Sequence, residues 1–214
     1  MPVTLKLATS LDGRIATAAG ESRWITGAAA REAVHRLRSE HDAVVVGVET
    51  ALADDPELTV RLPGYEGGQP ARVVLDSRQR LSPFSKLVRT ARDTPTYVVA
   101  TTEPDPALVA AGVRVVRVRA VGEDRPELKA VVEALASEGL GRLFVEGGGQ
   151  VAASFVRCGL VDALEWFRAP VLIGGEGRPA IGALAVAALA EAPHFRRVEV
   201  REVGVGLWER YARI

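Results

Sequence analysis

Short apolar runs recur along the chain, separated by stretches whose apolar positions fall at helical spacing. The runs are VTLKLA (3–8), AVVVG (43–47), ARVVLD (71–76), TYVVAT (96–101), VRVVRV (113–118), RLFVEG (142–147) and ALEWFRAP (163–170). They read as strands. Between them, 27–40 can place Ala33, Val34 and Leu37 on one face, and 126–138 does the same for Leu128, Val131, Val132 and Leu135, the period of an amphipathic helix. This alternation predicts an α/β fold with a mainly parallel sheet covered by helices on both faces. The end of the chain changes period. HFRRVEVREVGVGLWERYARI alternates by two on either side of Gly204 to Gly206, which predicts two antiparallel strands joined by a tight glycine turn. LPGYEGGQP (62–70) reads as a flexible surface loop.

Composition narrows the function classes. At 214 residues the chain is expected to form one domain, 1–214, able to bury roughly 70% of its unfolded surface. Lys+Arg and Asp+Glu are both 27, so no net field draws nucleic acid or an anionic membrane, and an anionic ligand needs a local cluster of cations. Arginine dominates, with Lys6, Lys86 and Lys129 the only lysines. Cys158 is the single cysteine, which rules out an intramolecular disulfide and suits a reducing, cytoplasmic setting. One cysteine with three scattered histidines does not make a zinc site. No run approaches the ~18 apolar residues of a membrane span.

Several polar stretches follow strands, where ligand loops of open α/β sheets lie. FVEGGGQVAASF (144–155) puts three glycines between a strand and a segment that can wind into a helix. Such a turn brings backbone N–H groups close to a phosphate, and Gly147, Gly149 and Ala152 fit the G-x-G-x-x-A form of a dinucleotide fingerprint. It also fits a tight turn that needs positive φ, and it lies later in the chain than that fingerprint usually does. In 33–61, Arg38 precedes the AVVVG strand, and Thr50, Asp54, Asp55 and Arg61 follow it. The two arginines could grip an anion or be solvated surface charges. Asp54, Asp55 and Pro56 read as an overhanging loop. Ser77, Arg78 and Arg80 offer the hydroxyl and guanidinium groups that a ribose 2′-phosphate needs, which favours NADPH over NADH, provided that Asp76 points away. Asp12-Gly13 marks a sharp turn, Thr26 is a candidate N-cap, and Trp24 is either core or a ligand platform.

Together the stretches KLATSLDGRIA, GESRWITG, LRSEHDAVVVGVETALADDPELTVR, VVLDSRQRLSP, LFVEGGGQVAASFVRCGLVDAL and APVLIGGEGRPAIG resemble the reductase domain of bacterial riboflavin biosynthesis proteins, the 5-amino-6-(5-phosphoribosylamino)uracil reductases. That family lies within the dihydrofolate-reductase-like superfamily. The resemblance implies a three-layer αβα fold and NADPH-dependent reduction of a ribosyl to a ribityl group, with hydride delivered to C1′. It places NADPH contacts on Ala8, Trp24, Thr50, Asp54, Ser77 and the turn formed by Gly148, Gly149, Gln150, Val151, Ala152, Ala153 and Ser154. Substrate contacts fall on Ser22, Arg38, Leu58, Arg61 and Glu146, with Glu146 and Asp54 as the catalytic candidates. The implied partner is a phosphoribosylamino-pyrimidine, and the implied assembly is a homodimer for which the C-terminal hairpin offers an edge. Neither the H-x-E nor the P-C-x-x-C pattern of the deaminase often fused to this family occurs, so no deamination is expected. The still-aminated pyrimidine used by archaeal and fungal relatives, another reductase of the superfamily, and a nucleotide-binding module without activity remain as alternatives.

Overall fold

The computed structural model describes every residue except Trp24 and Glu123. Its first elements are β1 (Val3–Thr9), β2 (Arg14–Ala16), α1 (Ala28–Ser39), β3 (Ala43–Gly47), α2 (Val48–Asp54), β4 (Ala71–Leu75), α3 (Lys86–Arg89), β5 (Thr96–Ala100) and α4 (Pro106–Ala110). There follow β6 (Arg114–Arg117), β7 (Ala120–Val121), β8 (Arg125–Pro126), α5 (Leu128–Ser137), β9 (Leu143–Gly147), α6 (Gly149–Arg157), β10 (Ala163–Arg168), β11 (Arg178–Pro179), β12 (Phe195–Val203) and β13 (Gly206–Arg213). Every apolar run that reads as a strand is one, and both amphipathic stretches are helices. The sheet is mostly parallel and ends in antiparallel strands. No described helix is long and apolar enough to cross a membrane.

The chain divides into two compact units, one of Met1 with His35–Phe144 and the other of Pro2–Val34 with Val145–Ile214. In the first, β3, β4, β5 and β6 run side by side and parallel, with Val45 opposite Val73, Val74 opposite Val98 and Val99 opposite Val116. All five residues of β3 and of β5 are buried, the all-apolar pattern of a parallel strand covered on both faces. β6 sits at the edge and carries exposed Arg114 and Arg117, charges that discourage pairing with another chain. One charge is buried within this unit. Arg72 on β4 is 1% exposed, and its guanidinium donates to Thr90 Oγ1, Thr96 Oγ1 and the carbonyls of Leu87, Thr90 and Thr94. Burial pulls it down to about 10, so it remains charged at neutral pH and fastens the 87–96 segment to the sheet.

In the second unit β1 pairs with β10 in parallel, β10 with β13 antiparallel, and β13 with β12 antiparallel. Only Gly204 and Val205 separate β12 from β13, and Gly204 takes φ 61°, the left-handed conformation that a two-residue hairpin turn requires. Phe167 and Trp208 lie opposite each other on β10 and β13 and stack at 5.2 Å.

Some details differ from the sequence reading. α1 begins at Ala28, so Gly27, not Thr26, holds the cap position. Asp54 is not on a loop but ends α2, whose last turn closes through Asp55 in the left-handed region at φ 38°. The 62–70 stretch has no regular structure but is tied to its neighbour, since the Gln69 amide accepts from Val60 N and donates to Val60 O.

Candidate functional site

Four of the expected residues meet within the first unit. Arg38, Asp54, Leu58 and Arg61 line one open cleft of about 320 Å³. Arg38 lies in the last turn of α1, 9% exposed, and its Nη1 donates to Thr59 O at 2.8 Å. The ADDPELTVR stretch is bent by two non-glycine residues at positive φ, Asp55 at 38° and Leu58 at 57°. Bulky residues enter that region at a cost of order 1–3 kcal/mol, and they cluster at functional sites. The bend buries Leu58, 3% exposed, and leaves Arg61 half-exposed, with its Nη1 3.0 Å from Glu57 Oε2. Of the other expected residues in this unit, Thr50 is half-buried on α2 and Ser77 half-buried just after β4. Asp76, beside Ser77, is fully buried, and its Oδ2 accepts from Leu81 N at 2.8 Å. Its carboxylate therefore points inward. Arg78 and Arg80 are exposed and pair with Asp124 and Glu49.

In the second unit, Ala8 and Lys6 occupy half-buried positions two apart on β1 and so share a sheet face. Lys6 Nζ lies 3.8 Å from Glu146 Oε2, with side chains 14% and 8% exposed. Lys6 also sits opposite Glu165 of β10, Glu165 accepts from Arg210 of β13 at 3.1 Å, and Arg210 reaches Glu199 of β12 at 3.4 Å. Glu146, Lys6, Glu165, Arg210 and Glu199 thus form a row of alternating charge, in which Glu165 is 4% exposed and also takes the indole N–H of Trp208 at 2.6 Å. Ser22 is exposed. Trp24 lies outside the described residues.

The segment after the glycines, read as able to wind into a helix, is one, and it takes in most of the Gly148 to Ser154 stretch expected at the cofactor. Gly148, at φ 81°, turns the chain out of β9, and α6 runs from Gly149. Ala152 and Ala153 point into the core, 1% and 0% exposed, because the helix period turns them toward the protein. Gln150 is exposed, and Val151 and Ser154 are half-buried. No acidic side chain stands in the first turn, so the unpaired backbone N–H groups and the positive end of the helix fit a phosphate. Gly149 also has a packing role. A Cβ on it would stand 2.5 Å from Pro179 O, so its lack of a side chain admits another strand of this chain. Asp12 holds the segment leading to that strand, accepting from Ile173 N, Gly174 N and Ser10 Oγ. The Ser10 hydroxyl and the Gly174 N–H pull its carboxyl down to about 2.

A family model, the RibD C-terminal domain, matches residues 2–208. The chain belongs to this family. It is 37% identical over 207 residues to the riboflavin biosynthesis protein RibD of Bacillus amyloliquefaciens, covering 94% of this chain and 54% of that one. It is 39% identical over 174 residues to the 2,5-diamino-6-ribosylamino-4(3H)-pyrimidinone 5′-phosphate reductase of Methanothermobacter thermautotrophicus, covering 81% of this chain and 79% of that one. In structure it resembles Acinetobacter baumannii RibD, with a TM-score of 0.89 and 31% identity over 100% of this chain and 58% of that one. The chain thus spans about half the length of the RibD relatives.

Lys6 was not singled out from the sequence. Its signal is a lone cation at a half-buried position of an otherwise uncharged strand, a place where charge is rare unless paired. Lys86, which also lines the cleft, had no local signal.

Proposed function

We propose that the chain reduces the ribosyl group of 5-amino-6-(5-phosphoribosylamino)uracil to a ribityl group with NADPH. The observation that carries this reading is the cleft that Arg38 and Arg61 line together with Leu58, a setting for a phosphate group. The change breaks the C1′–O4′ bond, adds hydride to C1′ and a proton to O4′. NADPH, when bound, supplies the hydride. Arg38 and Arg61 hold the substrate's 5′-phosphate. Glu146, paired with Lys6, holds or passes the proton and bonds a ribose hydroxyl. Gly148 and the first turn of α6 hold cofactor phosphates. Ser77, Arg78 and Arg80 meet a 2′-phosphate that the inward-facing Asp76 does not repel. Thr50, Asp54, Ala8 and Trp24 complete the cofactor contacts, with Asp54 kept as a second catalytic candidate. The family resemblance and the single cysteine support a cytoplasmic homodimer.

The aminated pyrimidinone phosphate is the second reading, favoured by an archaeal relative named for it that this chain matches over most of that relative's length. NADPH oxidation measured with the two pyrimidines side by side separates them, and no oxidation with either refutes the reading. Arg38→Ala and Arg61→Ala should each raise substrate KM by about tenfold or more, the loss of a charge-assisted hydrogen bond, with little change in NADPH affinity. Unchanged substrate KM in both variants would remove the phosphate clamp.

A further inference from the structure

The phosphate cleft has a third cation. α3 contributes Lys86, which lines the cleft beside Arg38, Arg61, Asp54, Asp55 and Glu57. Its place is fixed from two sides. The Lys86 backbone N–H donates to Asp55 Oδ1 at 2.8 Å, and the buried Arg72 guanidinium holds the segment that follows, through Leu87 O and Thr90 O. The backbone is pinned on the rim while the side chain stays exposed.

The three cations differ in what already engages them. Arg38 donates to Thr59 O, and Arg61 is paired with Glu57 at 3.0 Å, both side chains being about half-exposed. Among the described residues the Lys86 ammonium group has no hydrogen bond or ion pair. A compact ammonium on a flexible stem can donate to a phosphate oxygen from many directions. Glu57, four residues before Arg61, offers that arginine the carboxylate analogue of what a phosphate would offer it. An exposed i,i+4 pair of this kind is weak, and a dianion outcompetes one carboxylate for a guanidinium fork.

We propose that Lys86 binds the substrate's phosphate group directly and that Glu57 is the internal competitor which a phosphate must displace from Arg61. The inference rests on the phosphate role given to this cleft under Proposed function. Together the two residues set a preference for a phosphate dianion over a singly charged group. Lys86 supplies attraction that needs no prior displacement, and Glu57 raises the threshold that a weaker anion fails to cross.

The test uses inorganic phosphate as the probe, so that it does not depend on turnover. Phosphate binding to the full chain is titrated calorimetrically for the wild type, Lys86→Gln, Glu57→Gln and the control Lys129→Gln, an exposed lysine outside the cleft. Lys86→Gln should weaken phosphate by about tenfold, one charge-assisted hydrogen bond. Glu57→Gln should tighten it, and Lys129→Gln should leave it alone. With the phosphorylated pyrimidine, the Lys86→Gln loss should fall on KM. The proposal is overturned if phosphate does not bind the wild type, if Lys86→Gln binds it as the wild type does, if Lys129→Gln weakens it equally, or if Glu57→Gln fails to tighten it. Lys86-dependent phosphate binding without reduction of either pyrimidine would support the cleft assignment and sink the proposed reaction. Reduction with a silent Lys86→Gln would do the reverse.

Discussion

Gly149→Ala separates two reasons for a glycine in the EGGG turn. If the glycine serves a ligand, the variant folds normally and loses cofactor affinity. If it serves packing, stability falls. The geometry favours packing, since the added Cβ would sit 2.5 Å from Pro179 O, with Ala180 O and C next at 3.5 and 3.6 Å. An ordinary contact needs nearly 1 Å more. The carbonyl cannot easily yield, because β11 is paired with β2 and Gly182 N donates to Gly149 O at 2.8 Å. Forcing a methyl into such a site costs about 1–3 kcal/mol. The better helix propensity of alanine offsets at most about 1 kcal/mol. A net loss of about 1–2 kcal/mol lowers Tm by about 2–8 °C in a chain of this length. Urea denaturation followed by circular dichroism measures the stability, and a titration with NADPH measures the affinity. Wild-type stability with lost NADPH affinity would refute the packing argument and restore the ligand reading of this residue.

Two further outcomes follow from the charged networks. Asp12 is held below its unfolded pKa chiefly by the Ser10 hydroxyl, so its contribution is present above about pH 4 and disappears as the pH falls toward 2. Asp12→Asn should flatten the acid limb of stability against pH in that window, seen in urea melts at stepped pH; a limb identical to wild type would show that the Ile173–Gly174 segment does not depend on this carboxylate. Arg210→Ala strips the main partner from Glu165, which is 4% exposed. Loss of one member of a buried pair costs about 3–5 kcal/mol, and the partial exposure of Arg210 brings the expectation down to about 2 kcal/mol. The double variant Glu165→Leu/Arg210→Leu should recover most of that loss, and a double variant as unstable as the single one would contradict the account.

Much of the architecture is legible along the chain because its signals are local. Apolar strands such as AVVVG and the alternation around Gly204 report burial that each strand imposes on its own residues. The 126–138 pattern marks α5 for the same reason. The short helices α2, α3 and α4 were not foreseen, since four to seven residues carry too few turns for a period to show. The short pairs β2 with β11 and β7 with β8 have no pattern of their own either. At the site, Arg38, Asp54, Leu58 and Arg61 were found through motif resemblance, and the structure brings these four into one cleft. Ala152 and Ala153 were expected at the cofactor, but the helical period turns both inward.

The sequence by itself determined where the longer strands and the amphipathic helices α1 and α5 form, the hairpin turn at Gly204 and the family to which the chain belongs. These depend on backbone periods and turn chemistry that neighbouring residues specify. Only the tertiary structure decided that Lys6 stands against Glu146, that Lys86 lines the cleft built by the ADDPELTVR stretch, and that a Cβ on Gly149 would meet Pro179 O. Each of those pairings joins residues distant in the chain. What brings them together is strand order and register, which no local pattern of side chains encodes.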